Sequence, residues 1–312
     1  MLRRTLVSAL IRHGTPVLFH PGGRTDILAP IFDAFARGIG GGVEGVSAAE
    51  LRRQQDAVEW DRRVFFREGY GFGLFATHAL TGHSSNAERR NRDTSGYRIM
   101  HYTGYGFWNG VAATLKLRRI PEDPSAWTDV PDFTRLSPFM VGGRAFGLVA
   151  RVRTVTPEVL AAFEGESSRP LTEAGWHGCG RGIWFRAAAT PHRLLDYLSI
   201  YPPASASMTF GLGVAMCFTQ IATPDAVLRS IESMPARLHD DLLTGAAVAL
   251  ATQIHEDDRE EPRLRSLYGG ALGARLDDVL AAVRDVPDDR TWYASFLDRL
   301  ATGPVHAHAH AH

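Results

Sequence analysis

The sequence predicts an all-α protein of stacked helical hairpins, an α-solenoid-like array with a repeat of roughly 33–37 residues and atypical end caps. Three observations predict it. A glycine-led, alanine-rich apolar segment recurs along the chain, a Thr-Pro step recurs in phase with it, and apolar residues follow each step at helical spacing. Self-similarity at a fixed period is the mark of a repeat architecture, in which each unit buries its apolar face only by stacking on its neighbours.

With Gly71, Gly106, Gly143, Gly180, Gly213 and Gly245 as markers, the steps are 35, 37, 37, 33 and 32 residues. Thr156-Pro157, Thr190-Pro191 and Thr223-Pro224 lie 34 and 33 residues apart, and each proline precedes the next marker by 21 to 23 residues. Thr before Pro is a helix start: the hydroxyl can cap a free backbone N–H, and proline at the first helical position gives up nothing. Leu194, Leu195 and Leu198 follow Pro191 at helical spacing, and Val227, Leu228 and Ile231 follow Pro224. Pro202 and Pro235 then stop these helices. The second helix of each hairpin is expected to begin at the glycine marker.

At the N-terminal end, 27–39 and 48–60 read as helices joined by Gly40-Gly41-Gly42, an atypical cap. The copy at Pro121 reads as a loop, and 82–98 and 255–265 as polar loops. Residues 276–283 and 292–300 are expected to close the array. Residues 1–302 thus form a single helical-repeat domain, followed by a His-rich tail over 303–312 whose alternating imidazoles read as a terminus rather than a metal site.

Composition narrows the function classes. Basic and acidic residues balance at 34 each, so no whole-chain field favours nucleic acid or an anionic membrane. The longest weakly polar stretch, 209–222, falls short of the roughly 20 apolar residues that span a bilayer, so no membrane span is expected. Arg12 and His13 break the N-terminal apolar run, which argues against a signal peptide. Two cysteines, Cys179 and Cys217, make no disulfide framework; reduced thiols in a cytoplasmic protein are expected. No HExxH, CxxC or paired-carboxylate spacing points to a metal, and no motif identifies a cofactor.

Candidate chemistry clusters just before the glycine markers. Glu68, His101 and His177 each precede a glycine by one turn or less, so stacking would line them along one edge, with Arg181 adding a fixed positive charge beside His177. An acid, a neutral imidazole and a guanidinium can move a proton and stabilise developing negative charge. Two bland readings compete: these are exposed turn residues, and Cys179, which with His177 could form a nucleophile and base, is a small apolar filler. Tyr70, Tyr102, Phe107, Trp108, Trp184 and Phe185, with Phe72 and Phe218, are expected to line an apolar groove, although any helical core would contain such rings.

The segments Glu68-Gly69-Tyr70-Gly71-Phe72, Tyr102-Thr103-Gly104-Tyr105-Gly106-Phe107, Gly178-Cys179-Gly180-Arg181-Gly182-Ile183-Trp184-Phe185 and Phe210-Gly211-Leu212-Gly213-Val214-Ala215 resemble a bacterial family. It is a domain-of-unknown-function family that recurs in actinobacterial gene clusters for enediyne and related polyketides. The resemblance covers roughly residues 20–300. It implies a biosynthetic protein of such a pathway, acting on or binding a long apolar polyene or polyketide intermediate. The rival expectation is a non-catalytic scaffold or carrier that docks a polyketide synthase. The family transfers no catalytic residues, and the alternating His tail departs from its pattern.

Overall fold

The computed structural model describes residues 24–81, 98–114, 133–152, 154–164, 168–284 and 292–302. These contain fourteen α-helices, and among them no strand. The helices are α1 (Thr25–Glu44), α2 (Ala48–Asp56), α3 (Arg63–Thr81), α4 (Arg98–Thr114), α5 (Phe133–Arg151), α6 (Pro157–Ala161) and α7 (Arg169–Arg186). Then come α8 (Leu194–Ser199), α9 (Ser205–Gln220), α10 (Pro224–Glu232), α11 (His239–Glu256), α12 (Glu261–Leu267), α13 (Gly270–Arg284) and α14 (Trp292–Thr302). The expected copy at Pro121, the loop at 82–97 and the tail at 303–312 lie outside the described residues.

Eight long helices pack in one row, in the order α1, α3, α4, α5, α7, α9, α11, α13. Neighbours run in the same direction. Gly38 and Gly42 on α1 meet the carbonyl oxygens of Phe66 and Tyr70 on α3, and Gly106 and Gly110 on α4 meet those of Met140 and Arg144 on α5. One helical turn on either helix thus advances one turn on its neighbour. The short helices α6, α8 and α10 are the return limbs that such a parallel row requires.

The repeat is as the sequence predicts, but the glycines play a different part. They do not start the second helix of each hairpin. Gly180, Gly213 and Gly245 sit in the middle of α7, α9 and α11, where each helix crosses the backbone of its neighbour. A Cβ on Gly180 would stand 2.0 Å from Met208 O, and one on Gly245 would stand 2.0 Å from Phe210 O. Only a residue without a side chain lets the backbones approach this closely, in contacts suited to weak Cα–H···O bonds.

Three local expectations also change. Gly40-Gly41-Gly42 is no joint: α1 runs through it and ends at Gly45, which takes the left-handed conformation (φ 65°) and closes the last turn through Gly41 O at 3.0 Å. Pro157, Pro191 and Pro224 do begin helical turns, but the hydroxyls of Thr156, Thr190 and Thr223 do not cap them. Thr190 Oγ1 donates instead to Ala188 O at 3.2 Å. The third is 255–265, which is helical rather than a loop, with Glu256, Asp257 and Glu260 all buried.

Those three acids explain how the row curls. Arg67 of α3, only 1% exposed, lies 3.4 Å from Asp257 and 3.8 Å from Glu256 at the end of α11. Arg63 lies 3.2 Å from Glu260, and the Met100 N–H at the start of α4 donates to Glu256 at 3.3 Å. Burial raises the Glu256 carboxyl to about 7, against the pull of Arg67. The first helices of the row are thereby folded across its later ones: Phe65 packs on Phe218, and Phe32 on Phe185. One core cluster runs from Leu28 to Phe296.

Gly40, inside α1, is an exception that checks the glycine rule. Nothing stands within 4 Å of where its Cβ would be. Gly40→Ala should therefore stabilise the protein by about 0.5–1 kcal/mol through helix propensity alone. Urea denaturation measures this, and a loss of stability would show that this face of α1 is covered.

Candidate functional site

Curling the row leaves a pocket, partly enclosed and partly open to solvent, between α1, α3, α4, α5 and α7. Its wall is made of Phe32, Phe35, Phe65, Phe107, Phe146 and Phe185, with Ile31, Ala150, Arg151 and Glu68. Helical spacing puts them there: 32 and 35 on α1, 65 and 68 on α3, 146 and 150 on α5 each share one face. The rings form a circuit. Phe35 lies 5.3 Å from Phe107, Phe107 4.4 Å from Phe146, Phe146 5.2 Å from Phe185, and Phe185 6.1 Å from Phe32.

Glu68 is the one acid in this wall. It is 3% exposed, and its Oε1 has no hydrogen-bond partner among the described residues. Burial raises its carboxyl to about 7, against the opposing pull of the Arg181 guanidinium. A buried carboxyl without a full set of partners is expensive to keep, and such groups concentrate at functional sites.

Arg181 and His177 lie one turn apart on α7, and Arg181 feels the charge of Glu68. Arg181 is half-buried, with Cζ 5.4 Å from the Phe146 ring centre. His177 stacks on Phe210 at 4.2 Å and shares a 2.9 Å hydrogen bond through Nδ1 with the Tyr293 hydroxyl of α14. Burial, with Arg181 adding to it, holds the imidazole down at about 3, so it is neutral. Burial raises the Tyr293 hydroxyl above its ordinary range, so it too is neutral.

Two of the four polar candidates, Glu68 and Arg181, act on one another's charge, across the curl of the row rather than along an edge of stacked turns. His177 feels Arg181 one turn away but is engaged by Tyr293 and Phe210. None of them is an exposed turn residue. His101 is not part of the group: it sits on α4 with its ring 5.0 Å from Tyr70, and burial and neighbouring Arg67 hold it at about 3. The charge acting on it is that of Arg67, which pairs with the buried acids that close the row.

Of the six aromatic candidates, Phe107 and Phe185 line the cavity. The other four do not. Trp184, one residue from Phe185, is turned about 100° away and donates its indole N–H to Thr219 at 3.0 Å. Trp108 packs with Ile39, Val43 and Phe72 in a second core cluster. Tyr70 and Tyr102 are buried against His101 and Phe75. Cys179, also expected as a possible nucleophile, is fully buried, and its thiol is pushed far above its ordinary range. It is a core filler.

Sequence reasoning missed Phe32, Phe35, Phe65, Phe146, Arg151 and Tyr293. One signal was present: Phe107, Phe146 and Phe185 follow their glycine markers Gly106, Gly143 and Gly180 by one, three and five residues, a regular climb along the row.

Compared with known protein families, with characterised proteins and with solved structures, the chain finds no match. The site must be read from its own geometry. Among the described residues no three His, Cys, Asp or Glu side chains gather to hold a metal ion, and no helix is long and apolar enough to cross a membrane.

Proposed function

We propose that the protein binds a long apolar small molecule, a polyene or polyketide intermediate, in the phenylalanine-lined cavity and acts on it by proton transfer through Glu68. The observation that carries this reading is a buried carboxyl with an unpartnered oxygen in a wall of six phenyl rings. With its carboxyl at about 7, Glu68 holds and releases a proton near neutral pH, as a general acid or base must. Arg181 supplies a fixed positive charge where negative charge would develop on the ligand. The resemblance of 68–72, 102–107 and 178–185 to the enediyne-cluster family supports the choice of a polyene. A scaffold that docks a synthase would present an open concave face, whereas here α1 and α3 lie across the later helices of the row.

The reading is tested with a linear, neutral polyene probe, diphenylhexatriene, whose emission rises on entering an apolar site. Saturable binding at one site per chain is expected. Phe146→Trp and Phe185→Trp, which fill the cavity, should each weaken it by at least about tenfold, the worth of one or two displaced ring contacts. Undiminished binding in both variants, with both still folded, would sink the proposal.

A further inference from the structure

Proton transfer to a neutral chain gives the N–H donors of Arg181 no acceptor to bond. Arg181 has no hydrogen-bond or ion-pair partner among the described residues, although it is half-buried against Phe146 and its Nη2 stands only 3.5 Å from where a Cβ on Gly142 would be. A guanidinium presents five N–H donors in a planar fork that matches a carboxylate. Holding that fork beside an apolar wall costs hydration that no described residue returns.

Charge decides what could return it. Six phenyl rings by themselves would suit an organic cation, as in the aromatic cages that hold quaternary ammonium groups. Here, however, Arg181 stands over Phe146 of the wall, and the one carboxyl in that wall, Glu68, keeps its proton up to about pH 7. A guanidinium facing a protonated acid favours an anion.

We propose that the ligand is a long unsaturated carboxylic acid whose chain fills the phenylalanine-lined cavity and whose carboxylate is held by Arg181 beside Glu68. The inference rests on the cavity reading above and adds the chemistry of the head group. Protonated Glu68 donates its O–H to the ligand's carboxylate, a short and strong type of bond, while Arg181 balances the remaining charge. The unpartnered Oε1 of Glu68 and the unpartnered guanidinium are then satisfied by one ligand group.

The test compares cis-parinaric acid with its methyl ester, which share a fluorescent chain and differ only in the head. The acid should bind at least about tenfold more tightly than the ester, as hydrogen bonds to charged groups are worth. Arg181→Met should bring the two within about twofold. Equal binding of acid and ester to the unaltered protein would overturn the carboxylate inference and leave the cavity reading standing. Binding of neither would overturn both. An acid preference that survives Arg181→Met, or tighter binding of a trimethylammonium amphiphile of similar length, would also overturn it. If Arg181→Met loses the ester as well, Arg181→Lys decides. That variant keeps the charge without the fork, so ester binding should persist while the acid preference shrinks, and an unaltered preference counts against the proposal.

Discussion

Gly106→Ala should destabilise the protein by about 3 kcal/mol, the upper part of the range for an overpacked site. The added methyl would stand 1.9 Å from Met140 O, 2.7 Å from Met140 C and 2.9 Å from Arg144 N. All three are backbone atoms of α5, so no side chain can swing aside, and the two helices must separate. Separation opens the contacts beside it, including Phe107 on Phe146 at 4.4 Å. Helix propensity works the other way by up to about 1 kcal/mol, and the clash outweighs it. Gly40→Ala is the internal control, since the same change on an open face carries the propensity gain alone. Gly143 is the reciprocal contact, its Cβ position 2.1 Å from Thr103 O. Once Gly106→Ala has parted the helices, Gly143→Ala should cost much less than it does alone, a non-additivity expected of two residues in one contact. Urea denaturation of the two single variants and the double variant measures it. A Gly106→Ala protein as stable as the unaltered one would show that the row is not held at these crossings.

This crossing geometry also explains what the sequence could and could not reveal. The period was legible because each helix repeats the same solution, a small residue at the same height, and glycine at steps of 32 to 37 residues is visible without any structure. The role of that glycine was not legible. A residue that starts a helix and one that permits two helix middles to touch leave the same trace in one dimension. The curl was hidden for another reason. It depends on Arg67 meeting Glu256 and Asp257, some 190 positions away, and no local pattern couples them. Because the cavity forms only on curling, Phe32 and Phe35 could not be assigned to it. Glu68 and Arg181 were found through their closeness to glycine markers, while their proximity comes from the curl. His101 satisfied the same positional rule, yet its ring packs on Tyr70 and feels Arg67 instead.

The second large effect concerns Glu68 and runs against the usual direction of a mutation at a buried residue. Glu68→Gln should leave stability nearly unchanged near pH 4 and raise it by about 3 kcal/mol at pH 8, one pKa unit being worth about 1.4 kcal/mol. Burial lifts the folded-state carboxyl from 4.5 to about 7, so the folded protein holds its proton where the unfolded chain has lost it. The stability associated with that proton is fully present below pH 4.5 and is lost as the pH rises to about 7. Glutamine, uncharged at every pH, suffers no such loss, so the difference between variant and parent should open across that window. The neutral imidazoles of His101 and His177, held at about 3, act in the opposite sense, losing stability as the pH falls below their unfolded value near 6.5. They are common to both proteins and cancel in the difference. Denaturant unfolding of parent and variant at pH 4, 6 and 8 measures the effect, and a difference that does not grow with pH would place the Glu68 carboxyl in a wetter or better-paired setting than this one. A chain that keeps an acid which glutamine would improve by several kcal/mol at neutral pH is giving up stability at one position of the cavity wall, and that is how a group needed for its proton is expected to look.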